Sequence, residues 1–467
     1  LNALYGSDGF AKALTDSLAI YIDFDRLGLE STPAAVSQAV QRLLGLHGPD
    51  ETLRSESRFN EAARDYFEHF KKIDPSDRTV GIFLAYLSCF FHEARHSHDL
   101  MSTIVGQRIL RQYFVHYKNV PKLQRKLKDW QSRNASQPIP LPLSRHAPSM
   151  NGIDQDVLEF VSKYTELDSL LDKAGVVGSG VYSWVGVKHL LEASAVLVQL
   201  EVVYDLFGGE AYEILWKLIH GGPNARTYTW LINGVAEDLL LTGKFAGRHG
   251  AGSVMNYLLW VALQGNARTV EGKEVEVSAG ALYFALIEHV LRNGSGTIDV
   301  AEAHQHAASF LAEWGFHDLN SMLDGFHQRA SQRLERSLTN ITVATDHLFN
   351  VVETQLLDSF LPFCHSILAD PEAYFSGRRY TTSLISGELP GIPIYFKANG
   401  EVFQSFTPGE KPISRESAEN MIAFSSMIRL LVNGRRSAGL PFVEDTCFEA
   451  LTADAGLVFS DRLFEGF

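Results

Sequence analysis

The chain has 467 residues, 45% hydrophobic and 21% charged, with a formal net charge of −14 and a pI near 5.6. The length exceeds one ordinary core and points to two or three packed subdomains. The acidic balance argues against a general affinity for nucleic acid or an anionic membrane, both of which need a basic footprint.

In chain order, residues 1–77 read as a helical N-terminal region, with polar connectors around 45–51 and a mixed-charge helix over about 54–72. The first residue is Leu1 rather than Met, so a removed leader stays open. A long helix is expected from about Arg78 to Lys118, capped by Asp74-Pro75-Ser76-Asp77. Its apolar run, Val80 to Phe91, is about half of the ~20 residues needed to span a bilayer and reads as buried helix. Lys118, Lys122, Arg125, Lys126, Lys128 and Arg133 suit a solvated helix surface, with a substrate-recognising patch as the alternative. Pro138, Pro140, Pro142 and Pro148 mark a connector over 134–153, which also carries Arg145 and His146.

Helices resume at Gln155, break at Gly175 to Gly180, and continue with a strongly apolar helix over 187–207. Further helices are expected near 210–220, 227–243, 251–264, 278–292, 300–314, 318–370 and 414–433. Two β-prone runs, Gly391 to Ala398 and Glu401 to Phe406, flank Asn399-Gly400, a hairpin signal. The expected fold is mainly α with a small C-terminal β-hairpin. The chain divides into an N-terminal helical region (1–77), a core (78–315) and a C-terminal region (316–467) with the hairpin near 391–406. Cys89, Cys364 and Cys447 are odd in number and far apart. This argues against a disulfide framework or a thiolate zinc site and favours a reducing, cytoplasmic compartment.

His92-Glu93-Ala94-Arg95-His96 reads His-Glu-x-x-His and follows the apolar run. Imidazoles four apart on a helix share a face and can reach one metal ion. At about 100° per residue, His96 lies about 40° around the axis from His92, Glu93 about 100° away on the flank, and Asp99 about 20° to the other side. His98 points away. Asp99 has two readings: a surface ion pair with Arg95, or a carboxylate accepting an imidazole N–H and fixing its tautomer.

Catalytic zinc takes a third protein ligand and keeps a position open. The downstream sequence, His96-Ser97-His98-Asp99-Leu100-Met101-Ser102, lacks a His-x-x-Gly-x-x-His continuation, so the third ligand is sought on another helix. Glu192 fits best, stranded in an apolar helix beside Ala193, Ser194 and Ala195, with an ion pair to Lys188 or an unidentified Arg as the competing reading. Glu201 lies about 180° from Glu192 around the same helix and reads as surface or structural.

Residues 88–100 and 188–196 together resemble the zincin superfamily of metallopeptidases, in the branch whose third ligand is Glu. The resemblance implies a multi-helix metallopeptidase-like core in which His92, His96 and Glu192 bind Zn²⁺. Glu93 would take a proton from the water at the metal and pass it to the leaving amine of a peptide or protein substrate. Tyr182, His189, Arg226 and Tyr228 are candidate oxyanion donors, and His189, three residues before Glu192, shares its face. Glu192 follows His96 by 96 positions, farther than the usual few tens, which suggests an inserted substructure over roughly 118–180.

Two other readings remain. Glu93 and His96 also form a Glu-x-x-His pair, as in di-iron helical bundles, but the apolar helix offers only the reverse order, His189-Leu-Leu-Glu192. A non-enzymatic helical interaction protein with a structural or inactive site would have no use for Glu93. Glu302-Ala-His304-Gln-His306 and Cys364-His365 have no partner at a recognised spacing.

Overall fold

The computed structural model describes residues 11–14, 17–24, 34–44, 56–73, 78–135, 137–170, 185–221, 231–232, 247–270, 273–294, 298–339, 344–398, 401–434 and 457. In chain order its elements are β1 (Ala11–Leu14), β2 (Ala19–Asp23), α1 (Ala34–Leu43), α2 (Glu56–Ile73), α3 (Arg78–Ser102), α4 (Ile104–Arg133), α5 (Leu143–His146), α6 (Gln155–Leu170), α7 (Val187–Phe207), α8 (Gly209–His220) and α9 (Gly247–Leu263). Then follow β3 (Asn266–Val270), β4 (Lys273–Val277), α10 (Ala279–Asn293), α11 (Val300–Glu313), α12 (Leu319–Leu338), α13 (Ala344–Ala369), α14 (Pro371–Phe375), α15 (Gly377–Ser386), β5 (Pro393–Ala398), β6 (Glu401–Phe406) and α16 (Arg415–Asn433). The fold is mainly α. Among the described residues no helix is long and apolar enough to cross a membrane.

Two compact units emerge, each assembled from three stretches of chain: 1–107, 174–329 and 358–412 in one, and 108–173, 330–357 and 413–467 in the other. The first is built around α3 and α7, which pack on each other. Nearly every side chain of α3 is buried, including Phe83, Leu84 and Phe91. Each such apolar side chain contributes roughly 1.5–3 kcal/mol. Helix α7 is likewise buried along most of its length and ends at Gly208, whose φ of 86° lies in the region that favours glycine. Helices α2 and α8 pack on α3, while α9 and α15 pack on α7. Side-chain caps start several helices: Ser278 accepts from the Ala281 N–H at α10, and Asp299 from the Glu302 N–H at α11.

In the second unit, cations of α4 meet acids of its partners. Lys118 Nζ lies 2.9 Å from Glu353 of α13, and Lys126 Nζ 2.6 Å from Asp154 ahead of α6. The basic stretch of α4 therefore carries structural ion pairs on a partly solvated face. Tyr117, Phe349 and Phe424 pack their rings beside these pairs, and Ser414 caps α16 through the Ser417 N–H.

Three expectations need correction. The N-terminal region is not wholly helical: β1 and β2 are strands. The β2 segment, Ala19-Ile-Tyr-Ile-Asp23, is buried at every position, which erases the alternation that marks a half-exposed strand. It pairs parallel with β5, Ile20 opposite Ile394, so the C-terminal hairpin belongs to a four-stranded sheet ordered β1-β2-β5-β6. The hairpin strands themselves pair as read, Ala398 opposite Glu401, with the Asn399-Gly400 turn outside the described residues.

The long helix from Arg78 is broken at Thr103. Its hydroxyl donates to the Asp99 carbonyl at 2.7 Å and accepts from the Gly106 N–H at 3.0 Å, ending one helix and capping the next. Gly106 sits so close to the Leu100 backbone that a Cβ has no room. The stretch 318–370 likewise divides, into α12 and α13. Residues 266–270 and 273–277, assigned no element from the sequence, form an antiparallel pair. The expected helix at 227–243, the break at 175–180 and the cap at 74–77 lie outside the described residues, apart from 231–232, which are helical.

Candidate metal centre

Burial of α3 continues unchanged from its apolar half into its polar half, so His92, Glu93, Arg95, His96, His98 and Asp99 all enter the protein with less than a tenth of their surface exposed. Buried polar groups cost several kcal/mol unless something meets them. What meets each one separates the helix into a side that gathers donor atoms and a side held by ordinary hydrogen bonds and ion pairs.

His92 and His96 turn toward α7. Their Nε2 atoms lie 3.1 Å apart, and Glu192 Oε2 lies 3.3 Å from His92 Nε2 and 3.4 Å from His96 Nε2. Among the described residues this is the one group of three or more His, Cys, Asp or Glu donors close enough to share an ion. Glu192 Oε2 is buried and accepts no hydrogen bond among the described residues, so the carboxylate sits against two imidazoles without being satisfied by them. Such an oxygen costs about 1–3 kcal/mol or more.

The triangle has the dimensions of one face of a zinc coordination sphere. Ligands about 2.0–2.1 Å from a tetrahedral zinc lie about 3.3–3.4 Å from each other. Two neutral imidazole nitrogens and one carboxylate oxygen also suit zinc chemically. The residues therefore fit the ion on spacing, donor type and the unsatisfied oxygen.

Electrostatics follow the same arrangement. Burial works to lower the His96 pKa, but the facing Glu192 carboxylate, helped by Glu93 and Asp99, outweighs it and pushes the imidazole up to about 9. Burial works to raise Glu192, and the opposing imidazoles, His96 foremost, more than reverse this, so its pKa falls well below the ordinary carboxylate range. The arrangement therefore favours a protonated His96 facing a deprotonated Glu192.

Glu93 is buried on the flank of the ligand stripe. Its Oε1 lies 3.9 Å from the half-buried Cys89 Sγ, and its charge reaches His96. His189, one turn before Glu192, is half-buried, and its Nδ1 is a buried atom with no hydrogen-bond partner among the described residues. Burial and Lys188 lower its pKa, against a raising effect of Glu192, so the ring is neutral near pH 7. Tyr182, Arg226 and Tyr228 lie outside the described residues.

Asp99 matches neither expectation. It does pair with Arg95, Nε to Oδ1 at 3.0 Å, but both side chains are wholly buried rather than on the surface. Tyr374 donates to the same oxygen at 3.4 Å, and no hydrogen bond joins Asp99 to His96 among the described residues. His98 points away as read, between the Tyr380 hydroxyl at 2.8 Å and the Pro390 carbonyl at 2.9 Å. Burial there pushes its pKa down to about 3. Glu201 is structural: it accepts from the Ser253 hydroxyl and, at 2.9 Å, from the Gly377 N–H at the start of α15.

The histidines of the other two clusters noted in the sequence have ordinary partners. His304 Nδ1 lies 2.6 Å from the Tyr257 hydroxyl, His306 Nε2 3.6 Å from Glu302, and His365 Nε2 3.6 Å from Asp324.

Sequence reasoning missed the polar contacts that join α3 to its neighbours, above all those of Arg95. The available signal was an Arg–Asp pair spaced four apart on a helix too apolar to have a solvated side.

No protein-family model matches the chain, and no match was found among curated proteins or solved structures.

Proposed function

We propose that this chain is a zinc-dependent hydrolase acting on peptide or protein substrates, with His92, His96 and Glu192 as metal ligands and Glu93 as general base. The observation that carries the reading is the triangle of donor atoms, 3.1, 3.3 and 3.4 Å on its sides, drawn from helices nearly a hundred residues apart in sequence.

Bound zinc would supply a Lewis acid that polarises a carbonyl and makes water more acidic. The chain's own groups supply the rest. Glu93, one residue from a ligand and on the flank of the stripe, takes a proton from the attacking water and returns it to the leaving amine, a role commonly worth about 10²–10⁴ in rate. The neutral His189 ring offers an N–H toward charge developing on the substrate oxygen. Peptide bonds are favoured as the target by the His-Glu-x-x-His sequence. Among the described residues Cys89 and Cys364 form no disulfide, which supports a reducing, cytoplasmic setting.

Two imidazoles and a carboxylate are also a donor set for iron(II), and Glu93 is what favours hydrolysis over oxygen chemistry. A di-iron site needs further carboxylates, and the described residues bring none into the cluster.

Elemental analysis of the purified chain, paired with hydrolysis of unstructured casein before and after chelation, tests the reading. One zinc per chain and chelator-sensitive cleavage are expected. Iron instead of zinc, or cleavage indifferent to chelator, would overturn it.

A further inference from the structure

Arg95 occupies the second variable position of the His-Glu-x-x-His sequence. It lies about 60° around the helix from His92, on the side away from Glu93. Its guanidinium is fully buried and fully engaged. Nε donates to Ser194 Oγ at 3.0 Å, in addition to facing Asp99. One terminal nitrogen donates to Asn256 Oδ1 at 3.0 Å, and the other to the Tyr374 carbonyl at 3.1 Å. The Tyr374 ring packs 3.9 Å below it. Ser194 in turn donates to Asn256 Oδ1 at 2.9 Å, leaving its oxygen free to accept from Arg95.

Ser194 is two residues from Glu192 on α7, and Arg95 lies between His92 and His96 on α3. A second polar contact joins the same helices farther along from the donor triangle: Gln199 of α7 donates to Ser88 Oγ of α3 at 2.8 Å. The pairs 88–199 and 95–194 run in opposite directions along the two helices. They tie the two helices at two points, one beside the donor triangle and one farther along, between helices whose buried side chains are mostly apolar. Apolar packing is non-directional and tolerates small slides. A slide of one residue moves a helix by about 1.5 Å, enough to open a triangle whose sides are 3.1–3.4 Å.

We infer that Arg95 is a positioning residue for the metal centre: its guanidinium, through Ser194 and Asn256, sets the register and rotation of α3 against α7 so that Glu192 meets the two imidazoles. This rests on the proposed metal site. Arg suits the task because its planar fork reaches three elements at once, α7, α9 and α14, which a Lys ammonium cannot do. Asp99 compensates the charge that burial would otherwise make prohibitive.

The test uses the full chain and zinc alone, with affinity measured by competition against a chromophoric chelator and ligand geometry by the visible spectrum of the cobalt-substituted protein. Arg95→Met strands a buried Asp99 at a cost large enough to threaten folding itself, so Arg95→Lys, which keeps the charge, and Ser194→Ala, which keeps Arg95, carry the result. Each is expected to weaken zinc binding about ten- to a hundredfold, the usual effect of losing a contact that orients a ligand, and to shift the cobalt bands while the metal-free thermal transition stays cooperative. Gln199→Leu should do the same more weakly. Lower thermal stability with unchanged zinc affinity and cobalt spectrum in both Arg95→Lys and Ser194→Ala would overturn the inference while leaving the metal site standing. Wild-type protein that binds neither metal would overturn the metal site and the inference together.

Discussion

Helix α7 presents two carboxylates to the interior from opposite sides, and the two are in opposite states. Glu192 faces a pair of imidazoles, accepts no hydrogen bond at Oε2, and has its pKa driven down by the charge across from it. Glu201 faces a hydroxyl and a backbone N–H, is well bonded by both, and has its pKa driven far up by burial. Gly252 and Gly377 press so close to it that neither has room for a Cβ. Residue type and helix are the same. The groups opposite decide that one carboxyl has its pKa driven down and the other has its pKa driven up and joins α7 to α15. A buried carboxylate therefore does not by itself mark a candidate site; one left unsatisfied among other donors does.

Substitutions can test that contrast in order of expected size. Glu93→Gln keeps the shape and removes the proposed base, so casein hydrolysis should fall about 10²–10⁴-fold with zinc content unchanged by elemental analysis; retained turnover would take Glu93 out of the proton-transfer role. Glu192→Ala removes one of the three proposed ligands, and zinc occupancy after dialysis should drop from one per chain to a small fraction. Full occupancy would move the third ligand elsewhere and dissolve the contrast with Glu201.

The pH dependence of metal binding comes next. Below about 9, the imidazole of His96 carries a proton that zinc must displace. Zinc affinity should therefore rise about tenfold per pH unit through the neutral range and level off near pH 9, with roughly one proton released per ion by calorimetry. A flat profile from pH 6 to 9 would contradict the raised pKa of His96. For the metal-free fold the sign is opposite. The raised His96 pKa stabilises fully below the ordinary histidine value near 6.5, and that stabilisation is lost as pH rises through about 9.

The smallest effect on the metal centre belongs to Glu201→Gln, which should leave zinc content unaltered at neutral pH. Below the ordinary carboxylate value the acid is protonated in folded and unfolded chain alike, so there the nearly isosteric amide should move the melting temperature by no more than about 3 °C. A raised carboxyl pKa stabilises below its unfolded value, near 4.5, and ceases to do so as pH climbs through the folded one. The wild type should accordingly lose stability relative to the variant as pH rises above about 4.5, leaving the variant the more stable at neutral pH. Parallel pH profiles for the two proteins would contradict the raised pKa of Glu201.

Much of the helical scaffold was legible in the chain. The apolar stretch of α7 gave its limits, 187–207, to the residue, and α10, α11 and α16 fell within a residue or so of expectation because long periodic patterns with Gly, Ser or Asp at their ends are strong local signals. Strand β2 was illegible because burial on both faces removes its period. The break at Thr103 was illegible because a hydroxyl that bonds backward and forward leaves hydrophobic periodicity intact. At the site, the relation of His92 to His96 was readable from helical pitch, and Glu192 from its isolation among apolar neighbours. The positions of Arg95 and Asp99 were misjudged because an i, i+4 ion pair looks the same in sequence whether water or protein surrounds it.

Local patterning thus specified a mainly helical protein, two imidazoles on one stripe and a glutamate on its flank, since each depends on residues within a few turns of one another. Long-range packing brought Glu192 to those imidazoles, buried Arg95 across three elements, and joined residues 19–23 to 393–398 in one sheet. Those outcomes depend on which surfaces meet across hundreds of residues, and on the desolvation and charge each meeting imposes, neither of which is encoded in any short window of the chain.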